Sequence, residues 1–236
     1  MLYEQIPRRH TNRYPFLDRE VPAAALAAMA GLTDRDTSAA QVVWFTRAAD
    51  RNPIGELLVA ATEAILDDPE QSASDHAWLR QSWDEIQRER DGITIDAAGL
   101  PNLTAALAKL LPAQSREAAG EAWLTATRDR HTRTAAAYGF VTVRDADDDS
   151  QRLQGGRLLE RIHLWATGHG LALHHMNQLT ERADRERQLG LDPLYGNALA
   201  DLMPDGEQAL AAFRLGYPTA SPRRSPRRPV EAVITR

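Results

Sequence analysis

Arg8, Arg9, Thr11 and Arg13 stand close together near one end of the chain, and forked guanidinium donors beside a hydroxyl are the group set that grips a phosphate. A second basic run, Arg223, Arg224, Arg227 and Arg228, lies near the other end, where Pro222, Pro226 and Pro229 stiffen the backbone that carries it. Either run alone reads as a solvated charge cluster. Two such runs of like chemistry, far apart in sequence, suggest one shared anion. Between them, His174, His175, Met176, Asn177 and Gln178 follow a short apolar run as a polar loop, and loops held by rigid elements are where sites tend to lie.

Other chemistries lack support. Asp145, Asp147 and Asp149 open like a calcium loop, but the sixth position is Ser150 where the turn needs Gly, and the twelfth is Gly156 where a bidentate Glu is required. His163, His169, His174 and His175 have no helical pairing with a nearby acid, so a polar core or cleft role is favoured over a metal site. There is no G-x-S-x-G, P-loop or H-E-x-x-H motif, and the chain has no cysteine, which removes disulfides, thiolate metal sites and a cysteine nucleophile together.

The elements that must position these residues centre on residues 154–178. Leu158, Leu159, Ile162, Trp165 and Ala166 form one apolar helix face, Leu164 makes the opposite side apolar, Ser150 is a candidate N-cap, and Gly168 and Gly170 end the helix. Residues 171–173 then read as a short buried strand. Further strands are expected at 41–46, 138–144 and 209–217, and helices at 22–31, 52–67, 70–90, 101–111 and 180–189, with 115–137 partly helical. Residues 191–206, rich in Pro, Gly and Asn, carry no element, and 218–236 form a Pro- and Arg-rich tail whose apolar end suits docking on another surface or subunit.

A chain of 236 residues with 43% hydrophobic and 26% charged content buries a substantial core, and its formal charge of −5 argues against general nucleic-acid binding. No apolar run is long enough to cross a bilayer and the first residues lack a signal-peptide core, so a cytoplasmic protein is expected.

IPRRHTNRYPF resembles the arginine-rich segment with which nitroreductase-family flavoproteins hold the FMN phosphate. GGRLLERIHLWATGHGLALHHMNQLTE resembles their central helix, following strand and flavin-facing loop, and FRLGYPTASPRRSPRRPVEAVI their terminal strand and basic tail. The likeness is greatest to the Acg-type subgroup of mycobacteria and other actinobacteria. It implies an α+β fold with a central mixed sheet of four to five strands flanked by helices, a flavin-binding domain over 1–217 and an extended basic arm over 218–236. It further implies that Arg8, Arg9, Thr11, Arg13, Arg227 and Arg228 bind the FMN phosphate, and that His174, Met176, Asn177 and Gln178 approach the isoalloxazine edge. The activity implied is hydride transfer from NADH or NADPH through the flavin to a small nitro-aromatic or quinone-like acceptor, in a homodimer; a flavin store without turnover and a scaffold without cofactor are the competing expectations. Members of the subgroup usually carry an earlier lobe with an Asn-x-Gln-Pro-Trp motif that this sequence lacks, which implies weaker ring contacts and a more exposed flavin.

Overall fold

The computed structural model describes residues 1–33 and 39–234. Its centre is β4 (Ala137–Val143), in which all seven residues are buried. AYGFVTV is apolar at nearly every position because both faces of the strand are covered, which replaces the polar alternation of a half-exposed strand. β4 pairs antiparallel with β1 (Gln41–Phe45) and with β6 (Gln208–Gly216), and β6 pairs antiparallel with β5 (Ala172–His175), giving the order β1-β4-β6-β5. The four strands lie within the expected number. Every pair in this sheet is antiparallel, and parallel pairing occurs between β2 (Leu79–Arg80) and β3 (Ile93–Thr94), a separate small sheet.

Alternation along β4 sends its side chains to two different cores. Ala137, Val141 and Val143 join Leu173, Phe213 and Leu215 beneath α1 (Ala23–Ala30) and α7 (Asp149–Gly168), where Met29, Leu158 and Ile162 are the anchors. Tyr138 and Phe140 join Ala212 and Met176 on the other face, under α2 (Ala48–Asp67), α8 (Gln178–Leu189) and α9 (Leu194–Leu202). Each fully buried Leu, Ile or Phe contributes about 1.5–3 kcal/mol to this sandwiching.

α7 is the helix expected at the centre, and residues 161–167 include no exposed position. Its cap is Asp148, whose Oδ1 accepts from Gln151 N at 2.8 Å, two residues ahead of Ser150. Of the two glycines expected to end it, Gly168 is still helical and Gly170 takes the left-handed backbone, at φ 72°.

Elsewhere the local rules misled. The helix expected over 70–90 is α3 (Pro69–His76), β2 and α4 (Trp83–Glu89), because Asp68 and Ser82 each cap a new start. α2 begins at Ala48, ahead of Pro53. α5 (Asn102–Ala108) and α6 (Arg116–Ala126) are shorter than the apolar and alanine-rich stretches suggested, α6 running into a π-helical turn at Thr127–His131. α9 was hidden by its Pro193 and Gly196; the buried Glu186 of α8 accepts from Tyr195 N and Gly196 N, each at 2.9 Å, and so holds its first turn.

Both ends of the chain meet beyond the edge of the sheet. After a 3₁₀ turn at Leu2–Gln5, Asn12 N donates to Leu173 O at 3.0 Å, Phe16 bridges to Pro218, and Leu17 N donates to Tyr217 O at 2.8 Å. Asn12 Nδ2 donates to Ala220 O at 2.8 Å and Thr219 N to Pro15 O at 3.1 Å. Residues 12–17 and 217–220 therefore run side by side, and the two arginine runs follow from them.

Candidate functional site

A cavity of about 570 Å³ opens where these segments diverge. Residues 6–13 bring Arg9, Thr11 and Arg13 to it, and residues 222–227 bring Arg223, Arg224 and Arg227. No carboxylate lines it among the described residues. Its size falls in the range of small-molecule sites, roughly 300–1,000 Å³, and five guanidiniums around one space with no acid among its described lining residues have the chemistry to receive an anion.

The arginines differ in what they are free to do. Arg9 forms an ion pair with Glu160, Nε to Oε1 at 3.1 Å, and its Nη1 lies 3.5 Å from His163 Nδ1. Arg13 donates to Ala97 O at 3.3 Å and has no acidic partner among the described residues; burial pushes its pKa down to about 10. Arg227 Nη2 donates to Ile6 O and Arg9 O, both at 3.2 Å, and so clamps the tail onto the opening segment. Arg223 and Arg224 are exposed and make no hydrogen bond or ion pair with another described residue. Gly99 packs against the Arg13 backbone: at φ 74°, a side chain there would run into it, 2.6 Å from its carbonyl carbon.

Not every residue expected at a phosphate is on the cavity. Arg8 is exposed and does not line it, and Arg228 forms an ion pair with Asp91, which also pairs with Arg80 at 3.0 Å. In compensation the tail supplies Arg223 and Arg224.

Behind the cavity lies Arg214, fully buried on β6. Its Nε donates to His174 Nδ1 at 3.0 Å, Nη1 to Thr134 Oγ1 at 3.0 Å and to His131 O at 3.3 Å, and Nη2 to Tyr14 O at 2.9 Å and to Asn12 O at 3.5 Å. Its guanidinium also lies 4.1 Å from the centre of the Phe16 ring. It thus holds the segment that carries Thr11 and Arg13 against the sheet. Sequence reasoning passed over it, although a lone arginine between Phe213 and Leu215 in an otherwise apolar strand was the signal. Burial lowers its pKa to about 9, since no carboxylate offsets the charge.

The histidines around it are held neutral. Burial first, then Arg214 at His131 and the His131 ring ahead of Arg214 at His174, push both well below the usual imidazole range. His163 falls to about 3 and His175 to about 4, again chiefly through burial, with Arg9 opposing a second positive charge at both. Because His174 Nδ1 accepts from Arg214, its proton sits on Nε2. His131 packs edge-on against His174, ring centres 4.5 Å apart, and neither of its ring nitrogens makes a hydrogen bond among the described residues. His163 Nε2 lies 3.1 Å from His10 O, so the imidazole fixes the backbone between Arg9 and Thr11.

The loop expected at 174–178 is reduced to two residues. His174 and His175 complete β5, Gln178 opens α8, and only Met176 and Asn177 connect them. Met176 is fully buried in the core; Asn177 Oδ1 accepts from Ala212 N at 2.9 Å; Gln178 is buried with an unpartnered Oε1. None of the four residues expected at a flavin edge lines the cavity. His175 reaches towards it indirectly, its ring 5.6 Å from that of His163 beside Arg9. Trp78 and Trp83 are 54% and 59% exposed and do not line it either.

The fold is nitroreductase-like. No protein-family model and no curated protein matches the chain in sequence. Among solved structures it is similar to the FMN-dependent nitroreductase NfnB from Mycobacterium smegmatis in complex with NADPH, at 18% identity and a TM-score of 0.59, covering 99% of this chain and 97% of that one. It is also similar to the FMN and NADPH-dependent nitroreductase NfnB from sphigopyxis sp. strain HMH, at 19% identity and a TM-score of 0.57 over 100% and 98% of the two chains. An FMN-bound nitroreductase from Bacteroides fragilis gives 16% identity and a TM-score of 0.53 over 94% and 92%.

Proposed function

We propose that this chain is an FMN-binding oxidoreductase of the nitroreductase type, passing a hydride from NADH or NADPH through the flavin to a small nitro-aromatic or quinone-like acceptor. The observation that carries the reading is the meeting of two arginine runs, some 210 residues apart in sequence, around one cavity without a carboxylate. That donor set fits a phosphomonoester, which bears a charge of about −1.5 to −2 and three acceptor oxygens. The nitroreductases of the same fold bind FMN and NADPH, which supports the cofactor assignment.

Arg9, Thr11 and Arg13, with Arg227 from the tail, would hold the phosphate. Arg214 and His163 keep Asn12, Tyr14 and His10, and so the binding segment, in place before the ligand arrives. Such preorganisation lowers the ordering cost of binding. When bound, the flavin itself supplies hydride acceptance and donation. The chain's part is to bind, orient and surround it with positive charge. The edge role expected for His174, Met176 and Asn177 is not open to their side chains, which are engaged with Arg214, the core and β6. The Acg-type likeness rests on the sequence patterns. A homodimer is part of the same reading, supported by Val230, Val233 and Ile234, each 58% exposed or more at the end of the tail.

The test is the visible spectrum of the purified, FMN-reconstituted protein before and after NADH or NADPH. Flavin bands that bleach under nitrogen and recover with a quinone are expected. A protein that takes up no flavin from an FMN solution overturns the reading.

A further inference from the structure

Aspartate followed by glycine occurs twice in the chain, at Asp91-Gly92 and at Asp205-Gly206. Such a pair has its own chemistry: with no Cβ on the second residue, the glycine amide nitrogen can reach the aspartyl side-chain carbon and close a five-membered succinimide ring. The two pairs sit in opposite surroundings.

Asp91 is locked. Its carboxylate forms ion pairs with Arg80, at 3.0 Å, and with Arg228, and its side chain is only 15% exposed. Two guanidiniums hold its oxygens as ionised acceptors, and ring closure needs the protonated acid, whose hydroxyl can leave. Gly92 is pressed against Trp78, where a Cβ would collide with the carbonyl oxygen, and Ile93 N donates to that same oxygen at 2.8 Å. Closing a ring here would require breaking a packed and bonded arrangement.

Asp205 is open. With Gly206 it forms the centre of the turn between α9 and β6, which Glu207 N closes by donating to Pro204 O at 3.0 Å. Both residues are exposed. The Asp205 carboxylate makes no ion pair or hydrogen bond among the described residues, and Gly206 N donates to none of them. Gly206 has φ 78°, and apart from its chain neighbours nothing lies within 4 Å of where its Cβ would stand, so a ring has room to form.

We propose that Asp205 is a site of spontaneous covalent modification, its link to Gly206 passing through a succinimide to the β-linked isoaspartyl form, and that Asp91 is protected from the same reaction. Gly206 N bonds to Asp205 Cγ, and the proton on that nitrogen leaves with the hydroxyl of the protonated side chain as water. Water then adds at the Asp205 main-chain carbonyl carbon; the bond from that carbon to Gly206 N breaks, and the nitrogen takes back a proton. One water is released and one is taken up, nothing is oxidised or reduced, and the chain keeps its mass. No cofactor enters this chemistry. The main chain gains a methylene and the turn a free α-carboxylate, the group that S-adenosylmethionine-dependent isoaspartyl methyltransferases esterify. The change falls at the entry to β6, beside Gln208, whose Oε1 accepts from Ala146 N at 2.8 Å.

The full-length protein is incubated at neutral pH and physiological temperature in water enriched in heavy oxygen, one atom of which each passage through the ring incorporates. Tryptic peptides 91–109 and 188–214 report the two sites separately. Electron-transfer fragmentation places the β linkage, and methylation by an isoaspartyl methyltransferase counts it. Expected is isoaspartate at Asp205 accumulating at least tenfold faster than at Asp91 in the native protein, with the two rates within threefold of each other in urea. D205E keeps the charge but would need a six-membered ring, and it should remove the signal from peptide 188–214 with far-UV dichroism unchanged. D205N closes the same ring with loss of ammonia and should react faster than the wild type. Native rates at Asp205 and Asp91 within threefold of each other, or a signal in peptide 188–214 that survives D205E, overturn the proposal. A tenfold difference that persists in urea overturns the protection of Asp91, because sequence and not structure would then separate the two sites.

Discussion

Arg13→Met separates binding from stability, because Arg13 is a buried cation that the unliganded chain leaves without an acid. The fall in its pKa from the ordinary guanidinium range to about 10 corresponds to roughly 3 kcal/mol against the charged form, at 1.36 kcal/mol per pKa unit. That figure is an upper bound, since Arg13 lines a cavity that water enters. With the folded pKa below the unfolded one, the cost is fully present below about pH 10 and is relieved as pH rises above it towards the ordinary guanidinium range. Methionine keeps much of the packing volume and removes the charge. Against this stands one lost hydrogen bond to Ala97 O, and a charged bond is worth about 1.5–3 kcal/mol. The apoprotein is therefore expected to melt at the wild-type temperature or up to a few degrees above it, at about 2–4 °C per kcal/mol for a chain of this size. FMN affinity is expected to fall tenfold or more, since the same 1.5–3 kcal/mol disappears from the phosphate grip with no compensation. Differential scanning fluorimetry and flavin-fluorescence titration read the two effects. An apoprotein that melts more than about 4 °C lower with unchanged FMN affinity would refute the reasoning, making Arg13 a structural residue only.

The remaining predictions are shorter. His163 and His175 have folded pKa values near 3 and 4, below the unfolded 6.5, so their contribution is fully present above pH 6.5 and is lost as pH falls towards 4; urea midpoints should drop steadily over that window, and a flat profile would contradict their burial as neutral groups. Arg227→Ala removes both bonds to the opening segment, so limited proteolysis should cut the tail faster and FMN should bind several-fold weaker, whereas equal cleavage rates would deny the clamp. Gly139→Ala forces a Cβ to 2.7 Å from Phe213 Cε2 and Trp44 Cζ3 in the middle of the sheet, a clash that should cost about 1–3 kcal/mol by thermal melt. Truncation at Pro218 should turn a dimer of 26.2 kDa chains into monomers by light scattering; a full-length monomer at micromolar concentration would end the dimer reading.

The parts of the fold legible from sequence were those where one local rule dominates. β4 and α7 were readable because a doubly covered strand and a core helix need apolar residues at nearly every covered position, and that pattern survives without tertiary knowledge. α9 was not, since its stabilising cap is Glu186, eight residues upstream on another helix. The break between α3 and α4 was masked because Leu79, Trp83 and Ile86 have helical spacing by coincidence, while the side-chain oxygen of Ser82 decides the restart. At the site, composition identified both arginine runs, but not which members face the cavity. That choice depends on Asp91, which engages Arg228 and leaves Arg223 and Arg224 free. The loop at 174–178 was misjudged because polar side chains were read as solvent-facing, whereas His174 is polar in order to meet a buried arginine and Asn177 in order to accept from a strand amide.

The most direct measurement is a parallel titration of the apoprotein with FMN and with riboflavin, which share the ring system and differ by the phosphate alone. If the arginine-lined cavity is a flavin phosphate site, FMN binds and quenches with defined stoichiometry, riboflavin binds at least about a hundredfold more weakly given two or more charge-assisted bonds, and the difference shrinks as salt is raised. Equal affinities for the two flavins, or binding of neither, would contradict the account.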